Sequence, residues 1–247
     1  MNKTVLVTGS SRGIGKATVK HFAKLGYNVV INYKDGKEAA EILKKEVEDL
    51  YSINALVIQC DISSEESVIR MVNQIKEKFS KIDVLVNNAS IEYASDLHEK
   101  NEKTFAEILK VNVIGTFLVS KYVGLEMLKE KSGKIINVSS NNAIDKYDPS
   151  TLEYDASKSA IINMTYNFAK EFAPHINVNC VAPGWVETEK ISNLDKELGY
   201  KFIDSESDKI LLKRFAKPEE IASVIAFLAG DDANYINGSV IKVDGGC

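Results

Sequence analysis

Short runs of β-branched and other apolar residues alternate along this chain with stretches of helical periodicity, and no other feature restricts its architecture as tightly. The runs predict strands at Thr4–Val7, Asn28–Asn32, Ala55–Gln59, Val84–Val86, Lys134–Val138, Asn177–Val181 and Val240–Val243. Several are apolar almost throughout, the pattern of strands covered on both faces. Between them, Ala17, Phe22, Ala23 and Leu25, and later Val68, Met71, Val72, Ile75 and Phe79, recur at helical spacing. Repeated strand–helix–strand units with right-handed crossovers predict an α/β fold, a doubly wound seven-stranded parallel sheet with helices on both faces. No linker or repeat divides the 247 residues, so one domain over 1–247 is expected.

In such a sheet, ligands sit beyond the carboxyl ends of the strands. The first strand runs into Thr8-Gly9-Ser10-Ser11-Arg12-Gly13-Ile14-Gly15, which opens a helix. Glycines permit positive φ and close approach of a pyrophosphate, and the following helix offers free N–H groups to it. This reads as a Rossmann-type dinucleotide turn, spaced G-x-x-x-G-x-G. An acid holding the ribose of NAD is expected after the second strand, but the chain reads Asn32-Tyr33-Lys34 there. Lys34 and Arg12 instead offer cations to a 2′-phosphate, with Asp35 toward solvent, so the expected cofactor is NADP(H).

Tyr154 and Lys158 lie four residues apart at the start of a helix, hence on one face. An ammonium beside a phenol favours the phenolate, and the pair could then exchange a proton with an alcohol or carbonyl oxygen. Ser139-Ser140 ends the fifth predicted strand, a place suited to polarising a substrate oxygen. Asn112 interrupts the apolar helical run Ile108–Val119, where a buried amide needs partners. It serves either a helix–helix hydrogen bond or a water that relays protons to Lys158.

Taken together, these motifs resemble the short-chain dehydrogenase/reductase family from Lys3 to Gly246. Residues 8–15 are similar to its cofactor turn, Asp61-Ile62 to its adenine contact, Asn87-Asn88-Ala89 to its signature after strand four, and Pro183-Gly184 with Val186 and Thr188 to its nicotinamide segment. Asn112, Ser140, Tyr154 and Lys158 match its catalytic tetrad. The resemblance implies Tyr154 as general acid in reduction, Ser140 on the substrate oxygen, Lys158 on the nicotinamide ribose and Asn112 on the relay water. Gly9, Ser11, Arg12, Gly13, Ile14, Gly15, Tyr33, Lys34, Asp61, Ile62, Asn88, Ala89, Tyr154, Lys158, Pro183, Gly184, Val186 and Thr188 would bind the cofactor.

Within the family the chain is most similar to bacterial β-ketoacyl-[acyl-carrier-protein] reductases, then to glucose dehydrogenases. The first likeness implies reduction of a 3-oxoacyl thioester in fatty acid biosynthesis, an acyl carrier protein as partner and a homotetramer. The second implies a sugar or polyol dehydrogenase. A non-catalytic dinucleotide sensor would need a broken tetrad, and all four residues are present. Three departures stand out. Ser90 replaces a common glycine. The stretch from Ser140 to Tyr154 is one residue longer, which brings Ser139 and Asn141 into competition for the serine's role. It also carries Asp145, Lys146, Asp148 and Glu153, which predict a charged substrate mouth. Of two basic carrier-protein contacts only Lys131 stands; the other falls in the shortened loop Ala173-Pro174-His175. Residues 187–212 predict a substrate lid, with Ile191, Leu194, Leu198, Tyr200, Phe202 and Ile203 either lining an acyl chain or packing a short helix.

Composition closes several alternatives. A net charge of −4, from 31 basic and 35 acidic residues, does not fit a protein that neutralises nucleic-acid phosphates. Cys60, Cys180 and Cys247 have neither disulfide-framework nor metal-ligand spacing, and His21, His98 and His175 are scattered. No signal peptide and no membrane-spanning segment is expected, and the cytoplasm is the expected compartment.

Overall fold

A computed structural model describes residues 2–199 and 201–247. In chain order the elements are β1 (Thr4–Val7), α1 (Gly13–Lys24), β2 (Asn28–Tyr33), α2 (Lys37–Tyr51), β3 (Ala55–Gln59), α3 (Glu65–Phe79) and β4 (Val84–Asn87). Then come α4 (Glu102–Leu109), a π-helical turn (Lys110–Gly115), α5 (Thr116–Glu130), β5 (Gly133–Val138), α6 (Leu152–Glu171) and β6 (Ile176–Pro183). The last are α7 (Glu189–Glu197), α8 (Phe202–Ser207), α9 (Pro218–Ala229) and β7 (Val240–Val243). The strands form one seven-stranded sheet, ordered β3-β2-β1-β4-β5-β6-β7, and every pairing is parallel. The order reverses between β1 and β4, so the crevice at this switch point opens above their carboxyl ends.

Side chains alternate across the sheet and divide the core in two. On β1, Val5 and Val7 face a layer with Phe22 of α1, Leu43 of α2 and Ile221 and Ile225 of α9. Leu6 faces the other layer, with Met71 and Ile75 of α3 and Val119, Val123 and Met127 of α5. Period two in a strand thus sends successive residues to opposite helical layers. Helix α2 buries Ala40, Leu43 and Val47, one stripe of an otherwise polar helix.

Strand pairing runs past the apolar runs, adding Tyr33, Asn87, Gly133, Ile176, Ala182 and Pro183 to the expected strands. Leu25, expected on the buried face of α1, lies just beyond its end and is 56% exposed. The helix stops at Lys24, and Leu25 turns outward ahead of the positive-φ Gly26. The continuous helical rod Glu102–Glu130 corrects another expectation. It is long and apolar enough, by length and composition, to cross a bilayer, but half of its most apolar window is buried. Its residues Leu118, Val119, Val123 and Met127 pack in the core layer, which accounts for the hydropathy. Cys60, Cys180 and Cys247 are free thiols.

Candidate active site

The glycine turn leaves β1 through Gly9, whose φ of +61° lies in the left-handed region. A Cβ there would also sit 2.7 Å from the Ala89 Cα, so the turn lies flat on the end of β4. Neutral hydrogen bonds fasten it. Asn88 Nδ2 donates to the carbonyls of Thr8 and Gly9, both at 3.0 Å. Thr8 Oγ1 accepts from the amides of Asn88 (3.0 Å) and Ala89 (3.1 Å). At Gly15, a Cβ would meet Gly9 O and Asn88 Nδ2 at 2.7 Å, so α1 starts tight against the turn. Arg12 caps α1 with backbone only, and no acidic residue occupies the first turn. The first amides of α1 therefore keep their positive end for an anion, and this cradle fits a pyrophosphate.

Asn32 stands where an acid was expected and is a strut. Its Oδ1 accepts from the Gly9 amide at 3.0 Å, and its Nδ2 donates to the carbonyl of Cys60 at 3.2 Å. It joins the ends of β1, β2 and β3, a role that the missing acid alone did not signal. Lys34 is not the free cation expected: its Nζ lies 3.0 Å from Asp61 Oδ2. Asp61 also accepts from the Ser63 amide and hydroxyl, and with Lys34 these bonds hold its carboxyl below the usual range despite burial. The pair lines an open cavity of about 390 Å³ with Asp35, Gln59, Cys60, Ser67 and Arg70. Four of the expected cofactor contacts pack their side chains against the core. Tyr33 and Val186 are buried and Ile14 partly buried in one core layer, and Ile62 is buried in the other.

The tetrad residues converge beside β5. Ser140 follows β5 and its Oγ accepts from the Asn142 amide at 3.2 Å. Ser139 points the other way and donates to the Lys158 carbonyl at 2.8 Å. Asn141 is buried. Of these it is Ser140 that acts on the Tyr154 hydroxyl, in the sense that favours the ionised phenol. Lys158 Nζ donates to the Val138 carbonyl at 2.8 Å and lies 5.4 Å from the centroid of the Tyr154 ring. Burial lowers its pKa to about 8. The expected acidification of the phenol by this ammonium does not dominate here. Burial first, then the negative charge of Glu92, push the Tyr154 pKa up. At neutral pH the phenol holds its proton.

Asn112 sits in the π turn, whose wider winding marks a break between α4 and α5. Its side chain is fully engaged. Oδ1 accepts from the Ile91 amide at 2.8 Å, and Nδ2 donates to the Ile91 carbonyl and to Ser157 Oγ, both at 2.9 Å. Ser157 Oγ in turn donates to the Tyr154 carbonyl at 2.7 Å. The side chain therefore makes the helix–helix bond, and ties the segment after β4 to α6.

Of the charges expected at the mouth, Glu153 and Asp145 are engaged in ion pairs. Glu153 is buried, and its carboxylate lies 2.6 Å from Lys100 Nζ, itself almost buried. Lys100 also donates to the Ser150 carbonyl at 2.8 Å. Asp145 pairs with Lys242 at 2.8 Å, and Asp148 accepts from the Ser150 amide at 2.9 Å. Thr188 caps α7 and packs toward Gly13, where a Cβ would lie 3.5 Å from the threonine methyl. Residues after it leave and rejoin the fold at the Val186–Ala216 bridge. Phe202 meets Trp185 edge-on at 5.3 Å, and Trp185 stacks on Phe215 at 5.6 Å. Leu198 is exposed, Ile191, Leu194 and Ile203 are partly buried, and Tyr200 lies outside the described residues. Gly184 abuts Asp244, where a Cβ would lie 2.8 Å from that side chain's Cβ, so Pro183-Gly184 sits against the last turn of the chain. Among the described residues no group of three or more His, Cys, Asp or Glu is placed to hold a metal ion.

Comparison with known proteins agrees with this geometry. The family model described as enoyl-(acyl carrier protein) reductase matches residues 9–247. The 3-oxoacyl-[acyl-carrier-protein] reductase FabG of Staphylococcus epidermidis is 36% identical over 247 residues, covering 100% of this chain and 99% of the relative. The 3-oxoacyl-[acyl-carrier-protein] reductase of Synechocystis sp. is 38% identical over 246 residues, 99% of this chain and 96% of its own. Among solved structures, ElxO with NADP bound superposes with a TM-score of 0.92 at 34% identity, covering 100% of this chain and 98% of that one. A short-chain dehydrogenase/reductase of Serratia marcescens gives 0.91 at 33% identity, covering 99% and 97%. With relatives of this identity along its whole length and the family model matching all but its first eight residues, the chain belongs to the short-chain dehydrogenase/reductase family of oxidoreductases.

Proposed function

We propose that the protein is an NADPH-dependent reductase of carbonyl compounds, with 3-oxoacyl thioesters as its principal substrates. The observation that carries this reading is the Lys158 ammonium 5.4 Å from the Tyr154 ring and bonded to the end of β5, where Ser140 follows, together with an anion-ready glycine turn at the end of β1. The dinucleotide, when bound, supplies the hydride. Gly9, Gly13 and Gly15 with Ser11 and the α1 amides hold its pyrophosphate, and Arg12 and Lys34 serve the 2′-phosphate. Lys34 reaches it by sharing or leaving Asp61. Asp61, Asn88 and Ala89, and the backbone of Ile14, Tyr33, Ile62 and Val186, border the adenine and ribose portions. Pro183, Gly184 and Thr188 border the nicotinamide end.

Ser140 hydrogen-bonds the substrate carbonyl, and Tyr154 gives its proton to that oxygen as negative charge grows on it. Lys158, charged below about pH 8, binds the nicotinamide ribose and stabilises the phenolate that remains. Asn112 serves a relay that returns the proton. Residues 187–212 act as the substrate lid of a single domain. Two of the rim charges that favoured a sugar or polyol, Glu153 and Asp145, stand in ion pairs, and the curated relatives named above are 3-oxoacyl reductases. An acyl carrier protein is the proposed donor, with Lys131 exposed at the end of α5. Ile114, Phe117 and Leu125, exposed on the π turn and α5, and Tyr166 on α6 supply apolar area for a homotetramer. The proposed compartment is the cytoplasm.

Absorbance of NADPH tests this against an acetoacetyl thioester, glucose and a ketone panel. The thioester is expected to give the highest kcat/KM with NADPH over NADH. Tyr154→Phe is expected to lose at least a thousandfold in kcat with NADPH affinity unchanged. A variant that keeps its turnover would remove Tyr154 from proton transfer.

A further inference from the structure

The segment after β4 and helix α7 are joined across the cleft by one ion pair. Glu92 Oε2 lies 2.7 Å from Lys190 Nζ, with the carboxylate side chain 33% exposed and the lysine 63%. The position of Glu92 is set by its neighbour. Both the amide and the carbonyl of Ile91 are bonded to the Asn112 side chain, at 2.8 and 2.9 Å. A peptide pinned on both sides cannot swing, so Glu92 is held at a fixed place beside α6. Its charge reaches the two reactive groups there, making Tyr154 harder to ionise and helping Lys158 keep its proton. Asp155 acts on Tyr154 in the same sense. Lys190 approaches from the opposite side, in the first turn of α7, on the segment rooted at the Val186–Ala216 bridge.

We propose that Glu92 is a specificity-determining residue, anchored through Asn112 and masked by Lys190, that turns away substrates with a negative charge beside the reacting carbonyl and admits neutral ones. This rests on the reductase reading above and deepens it. A carboxylate on the substrate would meet the Glu92 carboxylate, and the two like charges repel, less so while Lys190 stays paired with Glu92. A 3-oxoacyl thioester is neutral at its reacting end; the free 3-oxo acid is not. The filter thus separates the esterified substrate from its hydrolysis product.

The test compares kcat/KM for acetoacetate, an anion, with that for ethyl acetoacetate, its neutral ester, in the wild type, Glu92→Gln and Lys190→Gln. Glu92→Gln is expected to raise the acid-to-ester ratio at least tenfold, because repulsion goes and Lys190 is freed. Lys190→Gln, which unmasks the carboxylate, is expected to lower it. A ratio within twofold of wild type in Glu92→Gln, or a rise in Lys190→Gln like that in Glu92→Gln, overturns the proposal; the second result would point to a loosened lid. Binding gives a readout free of turnover. Trp185 is the chain's single tryptophan and packs on Phe202 and Phe215, so its fluorescence reports the lid. Acetoacetate is expected to titrate Glu92→Gln at least fivefold more tightly than wild type, with the ester unchanged. If neither compound is turned over but this contrast holds, the charge filter stands and the reductase reading falls. If the ester is reduced and both ratios stay put, the filter falls and the reductase reading stands.

Discussion

The two sides of the cleft are held by different chemistry. On the dinucleotide side, uncharged groups fasten the glycine turn: Thr8, Asn32 and Asn88 bond to main-chain atoms of the turn and of the ends of β3 and β4, with the Lys34–Asp61 pair set beyond β2. On the substrate side, ion pairs do it: Lys100–Glu153 beneath the start of α6, Asp145–Lys242 beside it, and Glu92–Lys190 across it. Neutral amide bonds keep their strength whatever the pH between the carboxylate and lysine ranges. Ion pairs depend on protonation and, where exposed, on salt. The glycine turn is therefore constant, and the substrate rim is the part that conditions and substitutions can retune.

The sharpest way to break this contrast is to unpair the buried member of the rim. Lys100→Met leaves the Glu153 carboxylate buried without its countercharge, which costs about 3–5 kcal/mol. That lowers Tm by roughly 6–20 °C for a domain of this size. Adding Glu153→Gln is expected to restore most of the loss, since the charge that lacked a partner is gone. Calorimetry of the single and double variants checks this, and a single variant as stable as wild type would reassign the pair as idle.

On the platform, Asn88→Ala removes both bonds to the Thr8 and Gly9 carbonyls and is expected to cost about 1–3 kcal/mol. That loss should be equal at low and high salt, because no charge is involved, and NADPH should bind more weakly as the turn loosens. Denaturant titrations at two salt concentrations measure it; a salt-dependent loss would erase the distinction between the two sides.

The smallest effect concerns the foot of the lid. Glu220 bonds Arg214 through two contacts at 2.7 Å and accepts from the Lys217 amide at 2.8 Å. Together these lower its pKa from 4.5 to about 2. A carboxyl held lower in the folded protein than in the unfolded chain stabilises above the unfolded value and loses that stabilisation as pH falls through the folded one. Glu220→Gln is thus expected to lower Tm slightly at pH 6, with the difference from wild type shrinking between about pH 4.5 and 2. The group is exposed, so the shift is small. A difference constant across that window would show that the bonds, and not the charge, matter.

The sheet was legible because β1, β2 and β4 are buried throughout and β5 and β6 nearly so, which leaves apolar runs with little to obscure them. What the pattern could not rank were residues such as Gly133 and Pro183, where the ladder and not the side chain sets the boundary. The glycine turn and the Tyr154–Lys158 spacing were visible because each is local. The partnerships of charged residues were not. Lys100 and Glu153 stand 53 positions apart and Glu92 and Lys190 98, and nothing near either residue announces the other. Asn32 was seen only as a missing acid, because its use depends on where β3 ends. The Tyr154 phenol illustrates the same limit: the spacing showed its ammonium neighbour, while the burial and the acidic group that outweigh it belong to the folded surroundings.

The π turn at Lys110–Gly115 has a consequence for phase. A helix advances about 100° per residue, so one residue too many in a turn rotates everything after it by roughly that angle. Before the turn, the rod addresses α6 through α4; after it, α5 addresses the sheet and α3. A single surplus position thus lets one unbroken helix present two unrelated faces, with Asn112 at the changeover. Excising one residue there would leave a longer regular helix whose second half was turned the wrong way round.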